Sequence, residues 1–202
     1  MSDLLKLEKE LWASGLKCIA GVDEAGRGAL FGPVVAGAVI LDPSRDLSQY
    51  RDSKTLREPE RERLFDKIRL ESRAWGVGIV GAQEIDDTDI LRATMRAMAL
   101  AVKALAVPPD HVLVDGPHSP ELEYKIEAVI RGDALSASIA AASIVAKVSR
   151  DRLIRDLDGR FPGYGLARNK GYGTRQHLEA LRAAGPTPLH RRTFRGVVLG
   201  RA

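Results

Sequence analysis

Apolar positions along the chain recur with two periods, and the switches between them mark the elements. Residues 3–14 place Leu4, Leu5, Leu7, Leu11 and Trp12 on one helical face. Residues 19–23 read as a strand running into a glycine-rich turn, and residues 34–41, apolar and β-branched, as a second strand. Residues 42–59 are polar, contain two prolines and predict a long loop, followed by a helix over 60–72. Residues 75–80 alternate with small residues and predict a third strand. The stripe Leu91, Met95, Met98, Val102 and Leu105 predicts a strong helix over 88–106, ended by Pro108-Pro109. Residues 111–115 form a short apolar strand stopped by Gly116-Pro117, and residues 124–130 another. Residues 137–157 predict a long helix whose first half is rich in Ala and Ser, as close backbone packing requires. A last helix over 174–184 is followed by a basic tail. Paired strands early, then alternating helices and strands, predict an α/β fold: a mixed central sheet flanked by helices, with a helical basic C-terminal region.

Composition narrows the class. With 202 residues, 45% hydrophobic and 29% charged, residues 1–202 suit one domain with a sizeable core and are too apolar for intrinsic disorder. The longest uncharged run, residues 28–41, contains Pro33 and is too short to cross a bilayer, so no membrane partner is expected. The N-terminus mixes both charge signs, unlike a signal peptide. The single cysteine, Cys18, excludes an internal disulfide and a cysteine-based zinc site, which suits a cytoplasmic location. The net charge of +4 is unevenly spread: residues 1–146 carry a net −5 and residues 147–202 a net +9. A basic last quarter, residues 147–202, suggests a substrate-binding extension for a polyanion, nucleic acid first, although a solvated arginine-rich surface has the same composition.

Four carboxylates stand at the ends of predicted strands. Asp23 and Glu24 close one beside Gly26-Arg27-Gly28, Asp115 ends another, and Asp133 follows a third just before the small-residue helix. Strand ends of an α/β sheet share a rim where ligands bind. Carboxylates converging there call for a cation, and oxygen ligands without cysteine favour Mg²⁺ or Mn²⁺. Two such ions about 3.5–4 Å apart suit phosphoryl transfer. Aspartates in these positions also serve as turn residues and helix caps. No phosphate-binding P-loop and no G-x-S-x-G elbow occurs, and His111, His118, His177 and His190 lack metal-ligand spacing.

Val22-Asp-Glu-Ala-Gly-Arg-Gly28, followed by Phe31-Gly-Pro33, resembles the signature of bacterial ribonuclease HII. Further blocks match in order: Asp52-Ser-Lys54, Val114-Asp-Gly116, Gly132-Asp133, Ser138 to Ile144, Ala146-Lys147, Arg150-Asp151, Lys170-Gly-Tyr-Gly-Thr174 and His190-Arg-Arg192. The related ribonuclease HIII carries an extra N-terminal domain, whereas here the Asp-Glu pair sits at position 23. The resemblance implies a ribonuclease H-like fold and a metal-dependent endoribonuclease. Its substrates would be RNA/DNA hybrids and duplex DNA containing ribonucleotides. It would nick 5′ to the ribonucleotide and leave a 3′-hydroxyl and a 5′-phosphate, as ribonucleotide repair needs.

The resemblance also implies a site. Asp23, Glu24, Asp115 and Asp133 would be catalytic and bind two Mg²⁺ or Mn²⁺ ions. Gly26, Arg27 and Gly28 would read the 2′-hydroxyl through their backbone. Tyr172 would pack on the following deoxynucleotide's sugar, with Tyr164 as competitor. Ser53, Lys54, Lys147 and Lys170 would contact phosphates, and Arg150 and Asp151 would form a structural pair. A monomer is expected, and residues 194–202 show no sliding-clamp motif. Two rivals stay open: a catalytically silent nucleic-acid-binding module of the same fold, and a recombinase or transposase, which would need further DNA-binding domains.

Overall fold

Two neighbouring strands carry almost no polar residues because both their faces are covered. They are β1 (Ile19–Ala25), buried except at Glu24, and β2 (Val34–Ile40), buried throughout. Strands covered on both faces read as continuous apolar runs rather than as alternation. In the computed structural model, which describes residues 4–50 and 56–197, they form the middle of a five-stranded sheet with β3 (Ala74–Val80), β4 (His111–Asp115) and β5 (Lys125–Val129). The order is β3-β2-β1-β4-β5. β1, β4 and β5 are parallel, whereas β2 is antiparallel to both β1 and β3. The sheet is mixed, with helices on both faces, as the pattern predicts.

Among the described residues the α-helices are α1 (Lys6–Ala13), α2 (Glu58–Glu71), α3 (Ala82–Asp87), α4 (Ile90–Lys103), α5 (Ala137–Asp158), α6 (Leu166–Asn169) and α7 (Arg175–Ala184). α4 packs Ala93, Ala97, Met98, Ala101 and Val102 against Val22, Ala36, Ala38 and Val114 on one face of the sheet. α5 covers the other face, and its small residues let its backbone touch the strands. A Cβ built on Gly21 of β1 would lie 2.0 Å from the Ser138 carbonyl carbon, and one on Gly37 of β2 would lie 2.5 Å from the Ala142 oxygen. The N-terminus of α5 is capped twice. The Ser136 hydroxyl accepts from the Ile139 N–H (3.1 Å), and the buried Glu8 carboxylate of α1 accepts from the Ser136 hydroxyl (2.5 Å) and the Ser138 N–H (2.9 Å). A carboxylate there also complements the helix dipole.

Three boundaries differ from the pattern. α2 begins at Glu58 rather than 60, because Pro59 occupies the first turn, where its missing N–H costs nothing. The helix expected over 88–106 starts at Ile90, where the Asp89 side chain accepts from the Arg92 N–H (2.8 Å), and the short α3 precedes it. Residues 185–197, expected as a tail, pack onto the body. The Leu189 carbonyl accepts from the Gly32 N–H (2.8 Å), and Asp86 accepts from the backbone N–H groups of Arg192 (2.7 Å) and Thr193 (3.0 Å). Among the described residues no helix is long and apolar enough to cross a membrane.

Candidate active site

Parallel pairing of β1 with β4 ends at Val22↔Val114, so Asp23 and Asp115 stand side by side one residue further on. Alternation puts both on the face of Gly21 and Leu113, which is covered by α5. Asp133 arrives from the neighbouring β5 through a 3-10 turn, Gly132–Ala134, entered by Arg131 in the left-handed region (φ 59). The Gly132 N–H donates to Asp115 Oδ1 (2.6 Å), tying this turn to the end of β4. One carboxylate oxygen each from Asp23, Asp115 and Asp133 lies within 4.8 Å of the others. Asp23 is 3% and Asp133 5% exposed.

Burial, then the charges of Glu24 and Asp115, holds the Asp23 carboxyl well above the usual carboxylate range, against hydrogen bonds from Ser143 and the Glu24 N–H. Such a crowd of buried carboxylates is stable in ionised form only beside a cation, and an all-oxygen, all-carboxylate donor set fits a hard divalent ion. Glu24, at the alternate position of β1, stands outside the triad, with Oε1 3.3 Å from Arg27 Nη1.

Beside the triad opens a cavity of about 350 Å³. Its walls are Glu24 to Gly28 from the end of β1 and the turn that follows, Arg61 from α2, Ser143 and Lys147 from α5, and Tyr172. Gly26 (φ 94) needs to be glycine: a Cβ would lie 1.9 Å from Arg150 Nε. A Cβ on Gly28 meets nothing within 4 Å, so its face is open to whatever enters the cavity. If the loop reads the 2′-hydroxyl, as the resemblance implies, Gly28→Ala is expected to melt like the parent protein yet lose selectivity for ribonucleotides, measured as the cleavage ratio between duplexes with and without one ribose. Unchanged selectivity would remove this loop from recognition.

Two buried arginines hold the walls. Arg150 donates to the carbonyls of Phe31 (3.1 Å), Pro33 (3.1 Å) and Lys170 (2.8 Å), and Arg191 to those of Gly32 (3.0 Å) and Arg27 (2.8 Å). The expected Arg150–Asp151 pair is therefore corrected. Asp151 binds the Lys147 ammonium (2.8 Å), because the guanidinium donors of Arg150 are taken by loop carbonyls.

Tyr172 faces the cavity under the cations of Lys147 (5.8 Å) and Arg150 (5.4 Å), whereas Tyr164 is a core residue whose hydroxyl donates to the Gly185 carbonyl (2.5 Å). The Lys170 ammonium turns back to the Ala167 carbonyl (2.7 Å) and does not line the cavity. Ser53 and Lys54 lie outside the described residues. The sequence pattern assigns no role to Arg61, nor to Arg191 within its block His190-Arg-Arg192. Arg61 sits among eight other charged residues of α2, with nothing to single it out.

The model of the ribonuclease HII family matches residues 20–197. A ribonuclease HII from Geobacillus kaustophilus is 53% identical over 192 residues, covering 95% of this chain and 74% of its own. This chain belongs to the ribonuclease HII family. The ribonuclease H2 structure from Pyrococcus horikoshii superposes with a TM-score of 0.74 at 30% identity, over 89% of this chain and 94% of its own. The ribonuclease HII of Archaeoglobus fulgidus, solved in complex with PCNA, does so with 0.72 at 27% identity, over 92% and 98%. The chain is thus a ribonuclease H endonuclease of a metal-dependent family, and the silent binding module is not favoured. Because an archaeal family member assembles with PCNA, the lack of a recognisable motif in residues 194–202 does not decide against a clamp partner.

Behind the cavity, His177 and His190 are buried with their Nε2 atoms 3.0 Å apart. Burial, then His177, pushes the His190 imidazole from 6.5 down to about 4, and burial also lowers His177. The unfolded chain therefore binds protons that the fold excludes. The stability from a neutral His190 is complete above a pH of about 6.5 and is lost as pH falls toward about 4. Acidification from about pH 7 to about pH 5 is expected to cost on the order of 2 kcal/mol through His190. Thermal melts against pH check this: His190→Gln should show a shallower slope, and equal slopes would refute it.

Proposed function

We propose that this chain cleaves the RNA strand of RNA/DNA hybrids and nicks duplex DNA on the 5′ side of an embedded ribonucleotide, leaving a 3′-hydroxyl and a 5′-phosphate. The observation that carries the reading is the convergence of Asp23, Asp115 and Asp133 beside a cavity walled by a glycine loop and a tyrosine. Asp23, Glu24, Asp115 and Asp133 would hold two Mg²⁺ or Mn²⁺ ions. Asp23 would be shared, Asp133 on the side of the attacking water, and Glu24 and Asp115 on the side of the leaving oxygen. Bound there, divalent ions supply an activated water and neutralise the charge on the leaving 3′-oxygen.

The chain's own groups do the selecting. The backbone of Gly26, Arg27 and Gly28 reads the 2′-hydroxyl, which distinguishes RNA from DNA at one nucleotide. The open face of Gly28 supports this, since no side chain bars the approach. Tyr172 packs on the sugar of the next nucleotide, where a deoxyribose fits. Lys147 lines the cavity and serves the phosphate, with Arg61 beside it. Ser53 and Lys54 complete the phosphate contacts in this reading, whereas Lys170, expected among them, is turned back to the Ala167 carbonyl and is left out. Residues 147–197 carry the exposed Arg168, Arg175, Arg182, Arg192 and Arg195, which track the duplex backbone without reading sequence. All these groups come from one chain, so a monomer suffices.

The test is cleavage of end-labelled duplexes: one ribonucleotide in DNA, a uniform hybrid and all-DNA, each with Mg²⁺, Mn²⁺ or EDTA. A metal-dependent nick 5′ to the ribonucleotide, with all-DNA intact, is the expected result. Cleavage of the hybrid alone would overturn the junction reading. Cleavage of all-DNA would overturn the role of the glycine loop.

A further inference from the structure

The geometry points to His177 and His190 as positioning residues that set Tyr172 against the glycine loop and thereby the preference for an RNA-to-DNA junction. The inference rests on the role given to Tyr172 above.

The two imidazoles form a directed chain of hydrogen bonds. The Thr187 backbone N–H donates to His190 Nδ1 (3.0 Å). A backbone N–H can only donate, so His190 Nδ1 carries a lone pair, and the ring's single proton sits on Nε2. That proton points at His177 Nε2, 3.0 Å away, which must accept it. The proton of His177 is thereby placed on Nδ1, which donates to the Tyr172 carbonyl (2.9 Å). The same carbonyl accepts from the Thr174 N–H (2.8 Å), using both lone pairs. One tautomer of each ring satisfies the chain. Either ring in its other tautomer would set donor against donor or leave lone pairs facing each other.

The starting point of this chain also holds the opposite wall. Residues 187–191 are joined to the β1–β2 turn by the Gly32 N–H to Leu189 carbonyl bond and by the bridge between Phe31 and His190. Arg191, next to His190, donates to the Arg27 carbonyl at the centre of the glycine loop (2.8 Å). One five-residue segment therefore sends one line through two histidines to Tyr172 and another through one arginine to Arg27. It spaces the reader of the 2′-hydroxyl from the reader of the next sugar. Both rings are buried, and neither touches the carboxylate triad, so their contribution is to placement rather than to chemistry.

The test compares the parent protein with His177→Leu, His177→Asn and Tyr172→Ala. KM and kcat are measured on a duplex with one ribonucleotide and on a uniform hybrid, and folding is checked by thermal melt. Asparagine keeps a donor near the place of Nδ1, and leucine does not. His177→Leu is expected to lower the junction-to-hybrid ratio of kcat/KM about tenfold, mainly through KM, and His177→Asn to restore most of it. Imidazole ¹⁵N NMR of the unaltered protein should show His177 protonated at Nδ1 and His190 at Nε2, and the opposite tautomers would overturn the proposal even if His177→Leu fails to fold. A folded His177→Leu that keeps the ratio, while Tyr172→Ala loses it, would overturn the proposal and leave the reading of Tyr172 standing. A ratio unchanged in Tyr172→Ala would instead remove that reading, and the proposal with it.

Discussion

Asp23→Asn is expected to lower cleavage at least about a thousandfold while leaving duplex binding intact. The side chain is 3% exposed and shares the triad with Asp115 and Asp133. Asparagine has the same shape and keeps an oxygen, but it lacks the charge a divalent ion needs. In the proposed reading binding draws on arginines far from the triad, and it is expected to survive. A second effect has the opposite sign. Burial, Glu24 and Asp115 make an ionised Asp23 costly in the absence of metal. Its raised value means the fold holds a proton that the unfolded chain releases, so the stability it contributes falls as pH rises above the ordinary 3.8. In EDTA at neutral pH, Asp23→Asn should therefore melt higher than the parent, and the gap should narrow or reverse when Mg²⁺ is added. Such a loss of function with a gain in stability is the usual mark of a site held together against its own repulsion. Normal turnover by the variant would remove Asp23 from the metal set.

Gly21→Ala is expected to destabilise the protein by on the order of 3 kcal/mol or more. Its new methyl would lie 2.0 Å from the Ser138 carbonyl carbon and 2.3 Å from both the Ile139 nitrogen and the Ser138 oxygen. These are backbone atoms, so the whole start of α5 must move away from β1. That movement reaches the site: α5 follows the turn bearing Asp133, and its Ser143 hydrogen-bonds Asp23. Activity should fall with stability. Urea unfolding of this variant beside Gly28→Ala separates the two glycines. The first should shift the midpoint strongly, the second not at all. An unshifted Gly21→Ala would mean that α5 does not pack on β1 as closely as described.

Much of this could be read before any coordinates. The unbroken apolar runs of β1 and β2 gave away a sheet covered on both faces. The alanine- and serine-rich half of α5 signalled the close approach that Gly21 and Gly37 permit. Asp23, Asp115 and Asp133 were legible as strand-end acids, because strand period and turn residues are local properties of the chain. Ordered motifs then carried the family assignment from residue 20 to 197.

Other features depend on contacts between distant segments. Nothing in the local pattern separates Glu24, outside the triad, from Asp23, within it; that follows from which face of β1 meets α5. Arg61 reads as one more charge on a polar helix until α2 sets it at the cavity. Arg150 was expected beside its neighbour Asp151, yet it spends its donors on carbonyls from 20 to 119 residues away. Residues 185–197 show no periodicity and read as a tail, but Asp86 and the Gly32–Leu189 bond fasten them down. Most of the elements, the strand-end carboxylates and the family follow from side-chain order over a few residues. Which acids converge, which arginines become struts and how two histidines reach Tyr172 depend on contacts between distant segments. The acids converge through strand pairing and backbone N–H donors, and the arginines and His177 find backbone carbonyls; every residue offers the same backbone groups, so the identity of the partner is written nowhere in the local sequence.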